Sequence, residues 1–154
     1  MADMKRFPHV YAVSASATPE TDVELSSPRL PFLHSAPPSD FGGPGDRWSP
    51  ETLLAAAVGD CFVLTFRAVA RAANLPWVAL QCDVTGTLDR VDRVTRFTDF
   101  ALSVHLELPA GRKTDAGYAA LEKAKQNCLV SNSLLANSRL KASVQVASAP
   151  VAAA

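Results

Sequence analysis

The sequence carries no excess of charge of either sign. Fifteen basic residues stand against fifteen acidic ones in 154, a formal net charge of zero. That balance offers no basic footprint for nucleic acid and no polybasic face for anionic lipid. Cysteine is scarce: Cys61, Cys82 and Cys128 are an odd number, widely spread, with no C-x-x-C pair. Such a set builds no secreted disulfide framework. Structural zinc sites bring their ligands in close pairs, and His9, His34 and His105 are as scattered as the cysteines, so no metal is expected. Long hydrophobic runs are missing too. The most apolar stretch, Leu53 to Phe66, is interrupted by Gly59–Asp60 and falls short of the ~20 residues a bilayer needs. Residues 1–9 place no apolar region behind their charges, so no signal peptide is expected. These absences point to a cytoplasmic enzyme or binding protein with neither nucleic acid nor membrane as partner.

What is present is enough for one folded domain. With 48% hydrophobic and 19% charged residues, the chain is apolar enough to build a core. A chain of this length buries roughly 68–70% of its unfolded surface, so residues 1–154 read as a single domain. His9–Ser14 and Thr21–Leu25 read as two short strands joined by a hairpin. Six of the eleven prolines fall between Ser26 and Pro50, around Phe41-Gly42-Gly43-Pro44-Gly45-Asp46. That segment is expected to be a long loop.

A helix follows from Ser49 to about Ala72. Ser49 is placed to N-cap it, Pro50 costs nothing at its first position, and Glu51 sits in its first turn. Its apolar residues run nearly all the way round from Leu53 to Ala70, the pattern of a helix covered on every side. Two alternating strands come next, Val78–Leu88 and Phe100–Leu108, across a charged turn at Asp89–Arg93. A second helix from Thr114 presents Tyr118, Leu121, Ala124 and Cys128 on one face. Ser131 is placed to cap a short further turn, and Leu140–Val146 is a last strand. The alanine-rich tail, residues 147–154, and residues 1–8 are expected to fray. This order gives an α+β fold, antiparallel strands with two main helices packed on one face.

Cys82 lies between Leu80 and Val84 on an inward strand face, where a cysteine behaves as a small hydrophobe. Cys61 and Cys128 both occupy core-facing helix positions, so the two are able to meet where the helices pack. Packing alone remains an alternative reading for them as well.

The segment Trp48-Ser49-Pro50-Glu51-Thr52-Leu53-Leu54-Ala55-Ala56-Ala57-Val58-Gly59-Asp60-Cys61-Phe62 resembles the signature of the OsmC/Ohr family of thiol peroxidases. Asn127-Cys128-Leu129-Val130-Ser131-Asn132-Ser133-Leu134 is similar to the family's second motif, usually Cys-Pro-hydrophobic-Ser. Phe41-Gly42-Gly43-Pro44-Gly45-Asp46 also fits the loop of an OsmC-like branch. The chain departs from the pattern in two places. Leu129 stands where proline is common, and the turn Ser16-Ala17-Thr18-Pro19-Glu20-Thr21 has no counterpart of the arginine that helps activate the family's thiol.

The resemblance implies an intertwined homodimer and a catalytic set of Cys61, Cys128 and Glu51, with no cofactor and no metal. It implies that Cys61 attacks an organic hydroperoxide and becomes a sulfenic acid, and that Cys128 condenses with it to a disulfide. A dithiol or lipoyl-type reductant then restores the thiols. An ordinary thiol titrates near 8.5 and only the thiolate is nucleophilic. Cys61 is mid-helix and beside Asp60, so a cation is expected to lower its pKa. Glu51 lies about 15 Å away by helical rise, too far for contact, which leaves it to orient an arginine or to cap the helix. The alternative function is a non-catalytic protein of the same fold that binds a hydrophobic small molecule at the dimer interface.

Overall fold

The computed structural model describes residues 6–148. Of the termini expected to fray, residues 1–5 and 149–154 lie outside the described residues. The chain divides into two compact units, residues 1–53 and 54–154.

In the first unit, β1 (Ser14–Ser16), β2 (Val23–Ser26) and β3 (Leu33–Ser35) form an antiparallel sheet in that order. The hairpin forms as expected but further along the chain. Thr18 and Thr21 tie the turn, the Thr18 amide donating to Thr21 Oγ1 at 2.9 Å, which sets Ser14 opposite Ser26. β3 falls inside the segment expected to be loop. It forms because Leu33 and His34 pair with Leu25 and Glu24, pairings that a proline-rich local sequence does not advertise. The Ala36 amide then donates to the Trp48 carbonyl at 2.9 Å and closes the loop on itself. Gly43 is required within it, since a β-carbon there would overlap the Pro37 carbonyl.

Helix α1 (Pro50–Ala72) starts where its cap predicts. The Thr52 amide donates to Ser49 Oγ at 3.2 Å and the Ser49 amide to Thr52 Oγ1 at 2.9 Å. This is a reciprocal capping box with threonine in the usual glutamate place. Length and composition alone make α1 able to cross a membrane, which corrects the length argument drawn from Leu53–Phe66. The helix runs through Gly59–Asp60 because Gly59 is needed there: a β-carbon would lie 3.0 Å from Val84 Cγ2. Val58, Phe62, Phe66 and Ala70, four apart, bury one strip of it. That strip packs α1 onto the core.

The second unit holds β4 (Ala79–Val91), β5 (Val94–Leu108), α2 (Thr114–Gln126), α3 (Leu129–Asn132) and β6 (Asn137–Val146). Phe100, Leu102, Val104, Leu106 and Leu108 of the central strand β5 supply one buried face of the core. Helix α2 lies on β6 and β5, close enough that a β-carbon on Gly117 would stand 2.8 Å from Val144 Cγ1. Leu121 and Ala124 are buried as expected, while Tyr118 is 41% exposed and accepts the Val144 amide at 3.3 Å.

The α+β class and its two sheets stand, with two local corrections. β4 and β5 are antiparallel, but β6 runs parallel to β5, Leu102 opposite Leu140. A parallel and an antiparallel strand show the same alternation, so the pattern alone does not separate them. The β4–β5 turn narrows to Asp92 and Arg93, both with positive φ, and a register shift at Thr87/Leu88 carries the strands past the point where their alternation lapses.

Candidate active site

Cys61 sits on α1 beside the buried strip of Val58 and Phe62, half-buried against the core. Cys128 is 1% exposed and lies beyond α2, not at its end: α2 stops at Gln126, and Cys128 holds the N-cap position of α3. Ser131, expected to cap that turn, is inside it and donates its hydroxyl to Cys128 Sγ at 3.3 Å. Within residues 54–154 the Cys128 sulfur lies 4.0 Å from the Val58 carbonyl, about one turn before Cys61 on α1, and the two thiols are close enough to shift each other's ionisation. All three cysteines are free thiols.

Their environments push the two thiols in opposite directions. Burial raises Cys61, but hydrogen bonds to its sulfur outweigh it, first from the Val130 amide, then from the Cys128 thiol, with the Leu129 amide adding to them. The net shift is downward. Thr65 Oγ1 stands 3.9 Å from the sulfur while donating to the Cys61 carbonyl at 2.7 Å. These hydrogen-bond donors favour a thiolate in the same direction as a cation would. Cys128 moves upward, first from burial, with the Ser131 hydroxyl working against it and Cys61 adding to it. Two neighbouring thiols whose surroundings drive them apart are suited to different tasks.

Cys82 is packed against the core on the β4 face with Leu80 and Val84. Burial first, then Asp83 and Cys128, push it up to about 11.

Glu51 belongs to the first unit. It borders a cavity of about 620 Å³ lined by Val23, Leu25, Ala36, Pro37 and Phe41. Its Oε2 is buried without a hydrogen-bond partner, so Ser49 and Thr52, not Glu51, provide the cap. Among the described residues the ion pairs join Arg47 to Asp22 and Asp46, and Arg139 to Asp99. No group of three metal-ligating side chains occurs among the described residues.

Two further cavities of about 440 Å³ each flank the segment that follows α3. One is apolar, walled by Leu54, Leu88, Phe97, Phe100 and Leu134, with Arg96 among its lining. Phe97 and Phe100 stack there at 4.9 Å over Gly86. The other is polar and includes Ser131.

Residues 43–143, more than half of the chain, match the family model described as OsmC-like protein. The chain belongs to the OsmC-like family. Solved structures agree with this OsmC-like fold. One is an organic hydroperoxide resistance protein OsmC from Legionella pneumophila, 26% identical, with a TM-score of 0.71 over 92% of this chain and 100% of that one. An OsmC-like protein of unknown function from Vibrio cholerae superimposes with a TM-score of 0.82 at 12% identity, covering 88% of this chain and 100% of that one. An organic hydroperoxide resistance protein from Elizabethkingia anophelis, 21% identical, has a TM-score of 0.71 over 92% of this chain and 100% of the other. No curated protein matches the chain.

Thr65 and the amides of Leu129 and Val130 escaped the sequence reading of this OsmC-like site. Thr65 had a signal, its place one helical turn after Cys61. The amides had none, because a backbone donor carries no residue identity.

Proposed function

We propose that this protein is a cysteine-based peroxidase that reduces organic hydroperoxides to alcohols through Cys61 and Cys128. The observation that carries the reading is the pair of adjacent thiols, one biased toward thiolate by the Val130 and Leu129 amides and the other held back by burial. The names of the Legionella and Elizabethkingia structures support the same reaction class.

In the first step the Cys61 thiolate attacks the distal peroxide oxygen and the O–O bond breaks. The alkoxide leaves and takes a proton to become the alcohol, and Cys61 becomes a sulfenic acid. Cys128, as its thiolate, then attacks that sulfur. The S–OH bond breaks, water leaves after protonation, and a Cys61–Cys128 disulfide remains. The alkyl part of the peroxide fits the cavity of Leu54, Leu88, Phe97 and Phe100. Leu54 lies two helical turns before Cys61, about 10 Å by helical rise. An apolar wall favours an organic hydroperoxide over hydrogen peroxide by about 0.8 kcal/mol for each CH₂ buried.

Glu51 is the positioning residue of this scheme. Its buried oxygen lacks a partner, and an arginine brought to it would supply one. The working unit is a homodimer: α1 buries only one strip of an apolar surface, and Leu64 is left 51% exposed. A dithiol completes the cycle, and the compartment is the cytoplasm, where thiols stay reduced. The cavity of Val23, Leu25, Ala36 and Phe41 favours a second reading, in which the fold holds a hydrophobic small molecule without turnover.

The test is to add one equivalent of cumene hydroperoxide to Cys61→Ser and Cys128→Ser proteins. Cys61→Ser should consume no peroxide. Cys128→Ser should consume about one equivalent and carry a sulfenic acid on Cys61. An unmodified Cys61 there, with wild-type protein also inert, favours the binding reading.

A further inference from the structure

The polar cavity of about 440 Å³ beside α3 has no part in the peroxide step. Its lining includes Lys125, Gln126, Ser131, Asn132, Asn137 and Ser138. Lys125 is the one charged side chain among its described lining residues, and Ser138 Oγ is buried without a hydrogen-bond partner.

This wall is built around Cys128. The Cys128 amide donates to the Lys125 carbonyl at 3.3 Å, and the Asn132 amide donates to the Cys128 carbonyl at 3.0 Å. Ser131 Oγ, part of the same wall, is bonded to the Cys128 sulfur at 3.3 Å. Asn132 is braced in turn by donating its side-chain amide to the Gln126 carbonyl at 2.9 Å. The apolar cavity shares Leu134, Leu135 and Ala136 with the polar one. One short segment therefore separates an apolar chamber from a polar chamber.

We infer that the polar cavity admits the reductant, a dithiol carrying an anionic group, and directs its thiolate onto the Cys128 sulfur. This rests on the peroxidase reading above. Thiol–disulfide exchange prefers the leaving thiolate that is better stabilised. The Val130 and Leu129 amides give that role to Cys61, so productive attack falls on Cys128. Cys128 is almost fully buried, and Ser131 is where a cavity wall meets its sulfur.

The exchange balances. A reductant thiolate bonds to Cys128 Sγ, the Cys61–Cys128 bond breaks, and Cys61 leaves as thiolate. The second reductant thiol, deprotonated, attacks the reductant's sulfur in the mixed disulfide and closes a cyclic disulfide. Cys128 leaves as thiolate and takes up a proton. Two electrons pass from the dithiol to the protein.

The test separates this inference from the peroxidase reading by forming the Cys61–Cys128 disulfide with diamide, without any peroxide. Reduction of wild-type, Lys125→Gln and Lys125→Glu proteins is then followed with a matched pair of dithiols. These are 2,3-dimercaptopropane-1-sulfonate, which is anionic, and 2,3-dimercaptopropanol, which is neutral. For the anionic dithiol, Lys125→Gln should slow reduction about threefold and Lys125→Glu about tenfold, as expected for losing and then reversing one nearby charge. For the neutral dithiol both variants should stay within twofold of wild type. Equal losses with both dithiols, or no loss with either, overturn the assignment. Failure of hydroperoxide to form the same disulfide in wild-type protein overturns the peroxidase reading, and the inference with it.

Discussion

Replacing Ser131 by alanine removes a hydroxyl that donates to the Cys128 sulfur, at 3.3 Å. That hydroxyl opposes the upward push of burial on the Cys128 thiol. A hydrogen bond that favours the ionised form by about 1 kcal/mol holds roughly five times more thiolate at a given pH. Losing it lowers the Cys128 thiolate fraction about fivefold at neutral pH. A more basic thiolate is also more nucleophilic, and a Brønsted slope of about 0.4–0.5 returns roughly a factor of two. Disulfide formation from the Cys61 sulfenic acid should therefore slow about 2.5-fold. The assay is a single-turnover reaction with one equivalent of cumene hydroperoxide, quenched with acid and mapped for the Cys61–Cys128 disulfide over time. Site-resolved alkylation with iodoacetamide as a function of pH gives a second readout, the Cys128 midpoint moving upward. An unchanged rate of disulfide formation together with an unchanged Cys128 midpoint refutes the role given to Ser131.

Three further outcomes follow from the same geometry. Cys82→Ala should keep peroxide turnover, because its thiol is packing and is pushed up to about 11. In wild type that burial lets the unfolded chain ionise first. Stability should therefore fall as pH rises from about 9 toward 11, and urea midpoints of Cys82→Ala should lose that slope. Glu51→Leu should slow peroxide consumption about tenfold while leaving the thermal midpoint equal or higher, since it removes an oxygen buried without a partner. Lost stability with full activity would restore a capping role. Sedimentation should give twice the 16.3 kDa of one chain, and Leu64→Glu, placed at the half-exposed site on α1, should shift it toward monomer. A wild-type monomer contradicts the dimer.

Much of the fold was legible where local chemistry fixes local structure. Ser49, Pro50 and Glu51 mark the start of α1 within a residue, because a cap needs particular side chains at particular places. The alternation in β4 and β5 holds because one face meets the core and the other does not. The parallel setting of β6 and the existence of β3 were not legible, since pairing depends on distant partners: Leu140 on Leu102, and Leu33 on Leu25. In the candidate site, Cys61 and Cys128 stood out as residue types in two separated motifs. The source of the shift on Cys61 did not. The sequence called for a cation, and backbone amides from α3, which no residue type announces, act in the same direction.

The central claim is that Cys61 and Cys128 act as one redox pair. The most direct measurement is a non-reducing peptide map of wild-type protein after one equivalent of cumene hydroperoxide. The account predicts stoichiometric alcohol and a Cys61–Cys128 disulfide, with Cys82 recovered as a free thiol. Three free thiols beside unconsumed hydroperoxide, or a disulfide that engages Cys82 instead, would contradict it.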